Sequence, residues 1–467
     1  MFVLIVCAIG ALIATLVRRE ANLRRVEVLG LCWGLGTGVA GLMTFSLSFF
    51  GARLTTGNVL LSLTGLLALL VVLNAASGGG LNRLWVCLSR KRSGRPMDGC
   101  ERLLTAVVLF FVVSVFVDAL SQPLLTFDSR SNLGIKAKIL FYQQSVFAED
   151  FFDADRVVGH PRYPLMVPLS ENTLYHFIGR VQDRYGKIVF PLWFASLACL
   201  FFDGLRRCFS RRFALLGTAL LASLPVFTYN VNGGAAGGHA DVPLACFFFG
   251  FALSLFGGLH NESNADLWLA LLFGAFTIFT KNEGLALCGI AVTVAAIGVG
   301  WRRSGRLLLP VVGGVILVIP WFEFCTRLPH TDENYWSALR LAQVGEGLSR
   351  LPSVLLAFPV HIFLKPFFWS VLGWSVVVLA AIAAPRRLKS PHDLFLTIPV
   401  LYCLLLVLIY LVTPWDPARV IPLSLTRLLT QVCPLALFWV MLEIEALELM
   451  PKEWTRQESS ASGRLRS

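Results

Sequence analysis

Charged residues are scarce in this chain, and acidic residues are the scarcer kind. Only 15% of the 467 residues are charged, with 28 acidic against 40 basic side chains, while 56% are hydrophobic. A mean hydropathy of +0.71 excludes an ordinary soluble domain, in which about 25% of residues are charged. The sequence also has no HExxH motif, no P-loop and no serine-hydrolase elbow, so the commonest signatures of metalloproteases, nucleotide hydrolases and serine hydrolases are missing.

Long apolar segments recur along the whole chain. Segments of about 17 or more mostly apolar residues can cross a bilayer as helices. We therefore predict an all-α polytopic membrane protein with about thirteen transmembrane helices, and an extra helix or re-entrant segment at 353–365. The predicted spans are 2–17, 28–50, 58–76, 103–120, 188–203, 213–229, 241–259, 267–280, 284–300, 307–323, 367–384, 394–413 and 427–447.

The clusters of Lys and Arg residues between these spans, and the basic C-terminal tail, all fall on one side of the predicted topology. Such clusters mark the cytoplasmic loops of membrane proteins. The net charge of +12 therefore indicates orientation in a membrane, and we expect no nucleic-acid partner. On this topology the linker 77–102 is cytoplasmic, and the loops 121–187 and 324–352 lie outside.

The predicted chain has three parts. Residues 1–102 form a three-helix extension with a cytoplasmic linker, and 103–300 form a module that carries the long outside loop 121–187. Residues 301–467 add the C-terminal transmembrane helices and the second outside loop, 324–352. Because the first loop is rich in aromatic residues and contains "YPLMVPL", we expect it to carry interfacial helices rather than to be disordered.

Polar residues gather at the outside ends of the spans. The segment "FTKNEGL" at 279–285 interrupts two very apolar stretches, which predicts a tight outer turn between two helices. Ionisable groups in such surroundings are usually functional. The candidates at this surface are Asp118, Asp128, His160, Arg162, Tyr163, His239, Asp241, Lys281, Glu283, Arg419 and Arg427.

Each candidate also has a purely structural explanation. Asp128 precedes a helical pattern, so it can cap that helix or act as a general base. The prolines of "HPRYP" (160–164) can stiffen a loop or position a substrate cavity. Lys281 and Glu283 can pair with each other, and Arg427 can extend from a helix end to the interface.

Two acidic residues of the outside loop resemble a metal-binding pattern. Asp153 and Asp155 lie in "EDFFDAD", and carboxylate oxygens are the ligands that Mg²⁺ and Mn²⁺ prefer. A solvated acidic loop is the alternative explanation. A divalent metal is therefore only one of two expectations for this segment.

Four segments resemble bacterial members of the GT-C superfamily of polytopic glycosyltransferases. They are "FDSRSNLGIKAKIL", "HPRYPLMVPL", "GGHADVPLACFFFGFAL" and "FTIFTKNEGLAL", in that order within 103–300. The layout is similar to that of the dolichyl-phosphate-mannose protein mannosyltransferases and the lipid A aminoarabinose transferases. The resemblance implies a multi-pass protein of the bacterial inner membrane whose active site faces outside.

The resemblance also implies a reaction and a set of roles. The donor would be a polyprenyl-phosphate sugar, and the acceptor a hydroxyl group on a glycan, lipid or protein. By analogy, the catalytic residues would be Asp128 and Asp241, the residues that bind the donor phosphate would be Lys281, Arg427 and Arg162, and the residues that line the substrate cavity would be His160, Tyr163, His239 and Glu283.

Some features depart from the family pattern and keep alternatives open. The loop that carries Asp128 follows the fourth predicted span rather than the first, and Ser129 and Arg130 follow it instead of an acidic partner. Asp118 is a rival for the base. A transporter or flippase of a lipid-linked glycan is the main alternative, and a non-catalytic subunit for envelope polysaccharide assembly is another. The near absence of charge within the predicted spans favours an enzyme.

Overall fold

The computed structural model describes residues 1–19, 23–89, 95–153, 160–228, 233–299, 304–329, 345, 347–365, 368–383 and 391–455. These described residues form helices joined by turns and contain no β-strand. The helices of the N-terminal half are α1 (Phe2–Val17), α2 (Arg25–Phe49), α3 (Thr56–Ala76), α4 (Gly80–Ser89), α5 (Gly99–Ser121), a π-helix (Ser129–Gly134), α6 (Ile135–Gln143), α7 (Glu149–Phe152), α8 (Met166–Ile178), α9 (Asp183–Gly186) and α10 (Val189–Cys208).

The C-terminal half continues as helices of more varied length. They are α11 (Arg211–Ser223), α12 (Pro225–Thr228), α13 (Asp241–His260), α14 (Asn264–Ile278), α15 (Glu283–Val299), α16 (Leu308–Arg327), α17 (Leu351–Pro359) followed by a π-helix (Val360–Leu364), α18 (Ser370–Ala383), α19 (Leu394–Val412), α20 (Pro417–Thr430), α21 (Cys433–Ala446) and α22 (Lys452–Thr455). Short 3₁₀ turns at Gly305–Leu307, Leu348–Arg350 and Pro391–Asp393 precede α16, α17 and α19.

Several of these helices are long and apolar enough to cross a membrane, as expected for a multi-pass membrane protein. Within the described residues there are 7 such helices, or 8 if the bent pair α20–α21 is one span. Shorter apolar helices of 10–17 residues occur at α1, α14, α15, α17 and α18, so the predicted number of thirteen spans stays a prediction. The seven are Arg25–Phe49, Thr56–Ala76, Gly99–Ser121, Asp183–Cys208, Asp241–His260, Gly305–Arg327 and Leu394–Val412.

Two predicted spans need correction. The expected single span 427–447 is instead divided between two helices, α20 and α21, which meet at an angle of 52°. Pro434 follows the break at the first turn of α21, where its fixed φ suits a helix start but prevents α20 from continuing unbroken. The expected span 213–229 is divided between the 13-residue helix α11 and the short helix α12.

Helix α2 lies at the centre of the bundle because its glycines let several neighbours approach closely. A Cβ atom at Gly36 would lie 2.0 Å from the Val6 carbonyl oxygen of α1, and one at Gly38 would lie 2.3 Å from the Phe276 ring of α14. A Cβ atom at Gly30 would lie 2.9 Å from the Leu200 backbone nitrogen of α10. Small residues permit such approaches between membrane helices. The N-terminal helices therefore share one core with the rest of the described chain.

We expect Gly36→Ala to destabilise the protein by about 1–3 kcal/mol, because the new methyl group would overlap the Val6 carbonyl oxygen and overpacking costs about that much. Gly65→Ala in α3 is the matched control, since no atom lies within 4 Å of its Cβ position. Unfolding in mixed detergent micelles measures both. Equal stability of the two variants would contradict the close contact of α1 with α2.

One end of the bundle is held by a network of ion pairs whose three acidic side chains are buried. Three arginines and three acids meet there, from the end of α1 and from α2, α10 and α14. We call these six residues the basic-end network. Its pairs are Arg18 with Glu27 (3.1 Å) and Asp266, Arg24 with Asp203 (2.8 Å), and Arg207 with Glu27 (3.1 Å), Asp203 (3.1 Å) and Asp266 (3.5 Å).

The long loop 121–187 packs as a helical layer on the opposite end of the bundle. The backbone NH of Met166, at the start of α8, donates to the Phe279 carbonyl at the end of α14 (3.2 Å). The Leu54 NH donates to the Gln144 carbonyl (2.7 Å), which joins the start of α3 to the end of α6. The expectation that this loop carries helices is confirmed. Because the layer packs on the bundle, the candidate site residues within it are held in place.

Candidate functional site

Five candidate residues from distant parts of the chain meet at the end of the bundle that carries the helical layer. Each lies where an apolar helix begins or ends, because a helix end is where the chain can leave the apolar interior. We call them, with Gln431, the charged cluster. Its members are Asp128 before the π-helix, Asp241 at the start of α13, Lys281 and Glu283 at the α14–α15 turn, Arg427 in α20 and Gln431 just after it.

Asp241 is the centre of the charged cluster. Its side chain is fully buried, and Oδ1 accepts hydrogen bonds from Lys281 Nζ (2.9 Å) and Gln431 Nε2 (2.9 Å). Oδ2 accepts from Arg427 Nε (3.0 Å). A buried carboxylate is stable only when its lone pairs are satisfied, and position one of α13 adds the favourable end of the helix dipole. Asp241 thus holds both cations in place.

Arg427 joins the two aspartates. Its Nε contacts Asp241, while its Nη1 donates to Asp128 Oδ2. The guanidinium group is planar and donates from several fixed directions, so one arginine can hold two carboxylates at once. The alternative that Arg427 merely extends to a membrane interface does not fit these contacts, because only 17% of the side chain is exposed.

The Asp128 side chain is more exposed to solvent than that of Asp241. Its side chain is 25% exposed, and although it stands at the N-cap position of the π-helix, it makes no capping hydrogen bond. The carboxylate points to Arg427 instead, so the capping explanation is wrong. Burial alone would raise the pKa of Asp128, but the nearby Arg427 outweighs it and holds the pKa below the usual value.

His239 lies next to Asp128 in the Gly-rich turn before α13. Its Nδ1 is 3.9 Å from Asp128 Oδ2, and the side chain is 2% exposed. Neither ring nitrogen has a hydrogen-bond partner among the described residues. Burial, together with Arg427, lowers the pKa of His239 to about 4. The imidazole is therefore neutral near pH 7 and can accept or donate one hydrogen bond.

Lys281 and Glu283 pair with each other, as one of the two sequence interpretations predicts. The Lys281 Nζ lies 2.8 Å from Glu283 Oε1 and also donates to Asp241. Burial would lower the pKa of Lys281, but Asp241 and Glu283 raise it above its usual value, so the lysine is charged. The tight turn predicted at "TKNEG" (280–284) is confirmed with slightly shifted bounds, since α14 ends at Ile278 and α15 begins at Glu283.

The "HPRYP" segment lies beside the cluster and is held by a buried lysine. Lys136 of α6 donates from Nζ to the carbonyl oxygens of His160 and Tyr163. Tyr163 lies near enough to Arg427 to interact with it electrostatically. Arg162, in contrast, donates to the Leu328 carbonyl (2.9 Å), beyond the end of α16. Its predicted contact with a donor phosphate stays a prediction.

The other acidic candidates lie apart from these contacts. Asp118 is exposed on α5 and lines an open groove with Phe110 and Val117. Asp153 follows α7, and Asp155 lies outside the described residues. Within the described part of the chain, no group of three or more His, Cys, Asp or Glu side chains could hold a metal ion.

The comparisons with known proteins do not assign the chain to a family. Neither a protein-family model nor a curated protein matches it. The function of the candidate site can therefore be inferred only from its geometry and chemistry.

Two buried residues of the site were not predicted from the sequence. Gln431 donates to Asp241, and the Tyr402 hydroxyl of α19 donates to Gln431 Oε1 (2.8 Å). The spacing of Arg427 and Gln431, four residues apart, places both on one face of a helix, and this signal could have indicated Gln431. Tyr402 lies in a continuous apolar segment, which carries no such signal.

Proposed function

We propose that this protein is a membrane glycosyltransferase that moves a sugar from a polyprenyl-phosphate donor to an acceptor hydroxyl at the outer face of a membrane. The observation that carries the proposal is the charged cluster. A partly exposed carboxylate, Asp128, contacts Arg427, whose side chain is 17% exposed, and Asp241 holds both Arg427 and the buried Lys281. A base next to fixed cations is what transfer from an anionic leaving group requires.

Charge balance suggests how an anionic donor would bind. The cluster contains three acidic side chains, Asp128, Asp241 and Glu283, against the two cations Lys281 and Arg427, so an incoming phosphate must replace a carboxylate. Asp128 is the one that can be replaced, because it contacts Arg427 and is the most exposed of the three, at 25% against 19% for Glu283 and 0% for Asp241.

This exchange would also activate the base. While Arg427 holds Asp128, the pKa of that carboxyl is below its usual value, which makes it a poor proton acceptor. When the donor phosphate takes over Nη1 of Arg427, the pKa of Asp128 rises. The carboxylate then becomes a better base only in the presence of the donor, and the acceptor hydroxyl is not activated without it.

The reaction balances as one displacement. Asp128 accepts the proton of the acceptor hydroxyl while that oxygen forms a bond to the anomeric carbon of the sugar. The bond from the anomeric carbon to the phosphate oxygen breaks, and the polyprenyl phosphate leaves with the electron pair. Lys281 and Arg427 stabilise its negative charge. Attack opposite the leaving group inverts the anomeric centre.

The bent helix pair favours a second candidate function. Transporters often bind substrates where a transmembrane helix is broken, and the 52° break between α20 and α21 adjoins Gln431 and the charged cluster. A transporter or flippase of a lipid-linked glycan would use the same cations to hold the phosphate. It would move the lipid without breaking the bond between sugar and phosphate.

The two functions can be separated with purified protein in proteoliposomes. A panel of radiolabelled polyprenyl-phosphate sugars, supplied with glycan, lipid and peptide acceptors, is followed for release of polyprenyl phosphate. We expect release with at least one donor and none with Asp128→Asn. Translocation of intact donors by both proteins, without release, would support the flippase instead.

We expect Lys281→Ala to weaken binding of a polyprenyl-phosphate donor by roughly 1–3 kcal/mol, the loss of one charge-assisted hydrogen bond, with little change in acceptor binding. Lys138→Ala is the matched control, since that lysine pairs with Asp183 (2.9 Å) in the same helical layer but outside the cluster. Donor binding is measured by titration in nanodiscs. Unchanged donor affinity in Lys281→Ala would restrict Lys281 to a structural ion pair.

A further inference from the structure

Two uncharged residues, Gln431 of the charged cluster and Tyr402 of α19, support Asp241 from within the bundle. Tyr402 and Gln431 are each fully buried. The Tyr402 hydroxyl donates to Gln431 Oε1 (2.8 Å), and Gln431 Nε2 donates to Asp241 Oδ1 (2.9 Å). A chain of two hydrogen bonds thus connects α19 to the carboxylate that holds both cations.

The hydrogen bonds of Gln431 are specific in direction. A buried primary amide must satisfy both a donor and an acceptor, and here its oxygen faces a hydroxyl while its nitrogen faces a carboxylate. Gln431 also lies in the break between α20 and α21, four residues after Arg427. The position of the amide therefore fixes Asp241 relative to the same helix that carries Arg427.

We propose that Tyr402 and Gln431 are positioning residues that keep Asp241 oriented, so that Arg427 stays anchored through Nε while its Nη1 passes from Asp128 to an incoming phosphate. The nature of the anion rests on the proposed glycosyltransferase function. The anchoring of Asp241 does not, because it follows from contacts among residues of this chain. Without these two hydrogen bonds, the Asp241 side chain could rotate, and Arg427, which is hydrogen-bonded to it, would be displaced as well.

The alternative is that Tyr402 only packs α19 against the bent pair. Another tyrosine of the same helix makes such a packing link. The Tyr410 hydroxyl lies 2.7 Å from Ser424 Oγ, so it joins α19 to α20 two turns from Tyr402. Tyr410→Phe is therefore a matched control for Tyr402→Phe, as each removes one hydroxyl from the same helix.

Binding of undecaprenyl monophosphate to the full-length protein in nanodiscs provides the test. We expect Tyr402→Phe to weaken binding about three- to tenfold, the usual effect of one hydrogen bond, and Gln431→Met to do the same. Tyr410→Phe should stay within about twofold of the wild type. If Tyr402→Phe and Tyr410→Phe change the affinity equally, or if neither changes it, the positioning role is wrong.

A second measurement separates this inference from the proposed function. If the wild type does not bind the lipid phosphate, the proposed function is wrong. The anchoring of Asp241 by Tyr402 and Gln431 is then tested by unfolding temperatures alone. Tyr402→Phe, Asp241→Asn and the double variant are compared. We expect the decrease in Tm of the double variant to be smaller than the sum of the two, because both changes break one chain of hydrogen bonds. Additive decreases would overturn the inference.

Discussion

Asp128→Asn is expected to lower the turnover of sugar transfer by roughly 10²–10⁴-fold, the usual contribution of a general base. Asn has the same shape but cannot accept the proton of the acceptor hydroxyl. Stability should fall by no more than about 1 kcal/mol, because Asp128 is partly exposed and Asp241 still holds Arg427. Single-turnover transfer and thermal unfolding measure the two effects separately.

Asp118→Asn is the control for this experiment. Asp118 lies ten positions earlier in the chain, exposed on α5, and should tolerate the change with nearly full activity. A loss of transfer in Asp118→Asn, with Asp128→Asn still active, would give the role of the base to Asp118. Full activity of both variants would exclude Asp128 as the base. His239, the neutral side chain beside it, would then be the candidate for the base.

Asp241→Ala is expected to cost about 3–5 kcal/mol of stability, because it removes the buried carboxylate that both cations share and breaking a buried ion pair costs about that much. Lys281 would keep Glu283, and Arg427 would keep only the more exposed Asp128. Gln431 would also lose its acceptor. The free energy of unfolding in mixed detergent micelles measures the effect, and phosphate binding should be lost in the same variant.

The control for Asp241→Ala is an exposed ion pair. Glu323 and Arg327, one turn apart on α16, form a pair (3.0 Å) whose side chains are about half exposed. Glu323→Ala should change stability by about 0.5 kcal/mol or less, as solvent-exposed pairs do. If Asp241→Ala were equally mild, the cluster would be solvated in solution, and the anchoring of Arg427 would be wrong.

Structural features that depend on residues close together in the sequence can be predicted from the sequence alone. An apolar segment of sufficient length predicts a helix, and the break in it at Lys281 predicts a turn, since a charged group must leave the apolar interior. The same reasoning predicts that Asp128, Asp241 and Arg427 lie near helix ends on one surface. Because successive spans cross the membrane in alternating directions, the location of these three residues at the same surface could be expected.

The contacts within that surface could not be predicted in the same way. Asp128 and Arg427 are 299 positions apart, and no periodicity relates residues in different helices. The break between α20 and α21 lies inside the single predicted span 427–447. The hydrogen bond from Tyr402 to Gln431 joins α19 to that break, so periodicity within one segment does not predict it.

The capping interpretation of Asp128 failed for a related physical reason. Local rules favour Asp at a helix start because its carboxylate can accept a backbone hydrogen bond. A guanidinium group offers a stronger, charge-assisted hydrogen bond, and tertiary packing brings Arg427 to the same oxygen. A local preference was therefore replaced by a contact that only the folded bundle provides.

The basic-end network also constrains how the chain is made. Arg18 and its partner Asp266 are 248 positions apart, so at about 5–20 residues per second the ribosome reaches Asp266 roughly ten to fifty seconds after Arg18. The N-terminal hairpin α1–α2 is made early in that interval, Arg207 of α10 follows, and Asp266 of α14 comes last. Until α10 is made, Arg18 and Glu27 form the only ion pair of the network whose two members both exist, so the network can be completed only when more than half of the chain has been synthesised.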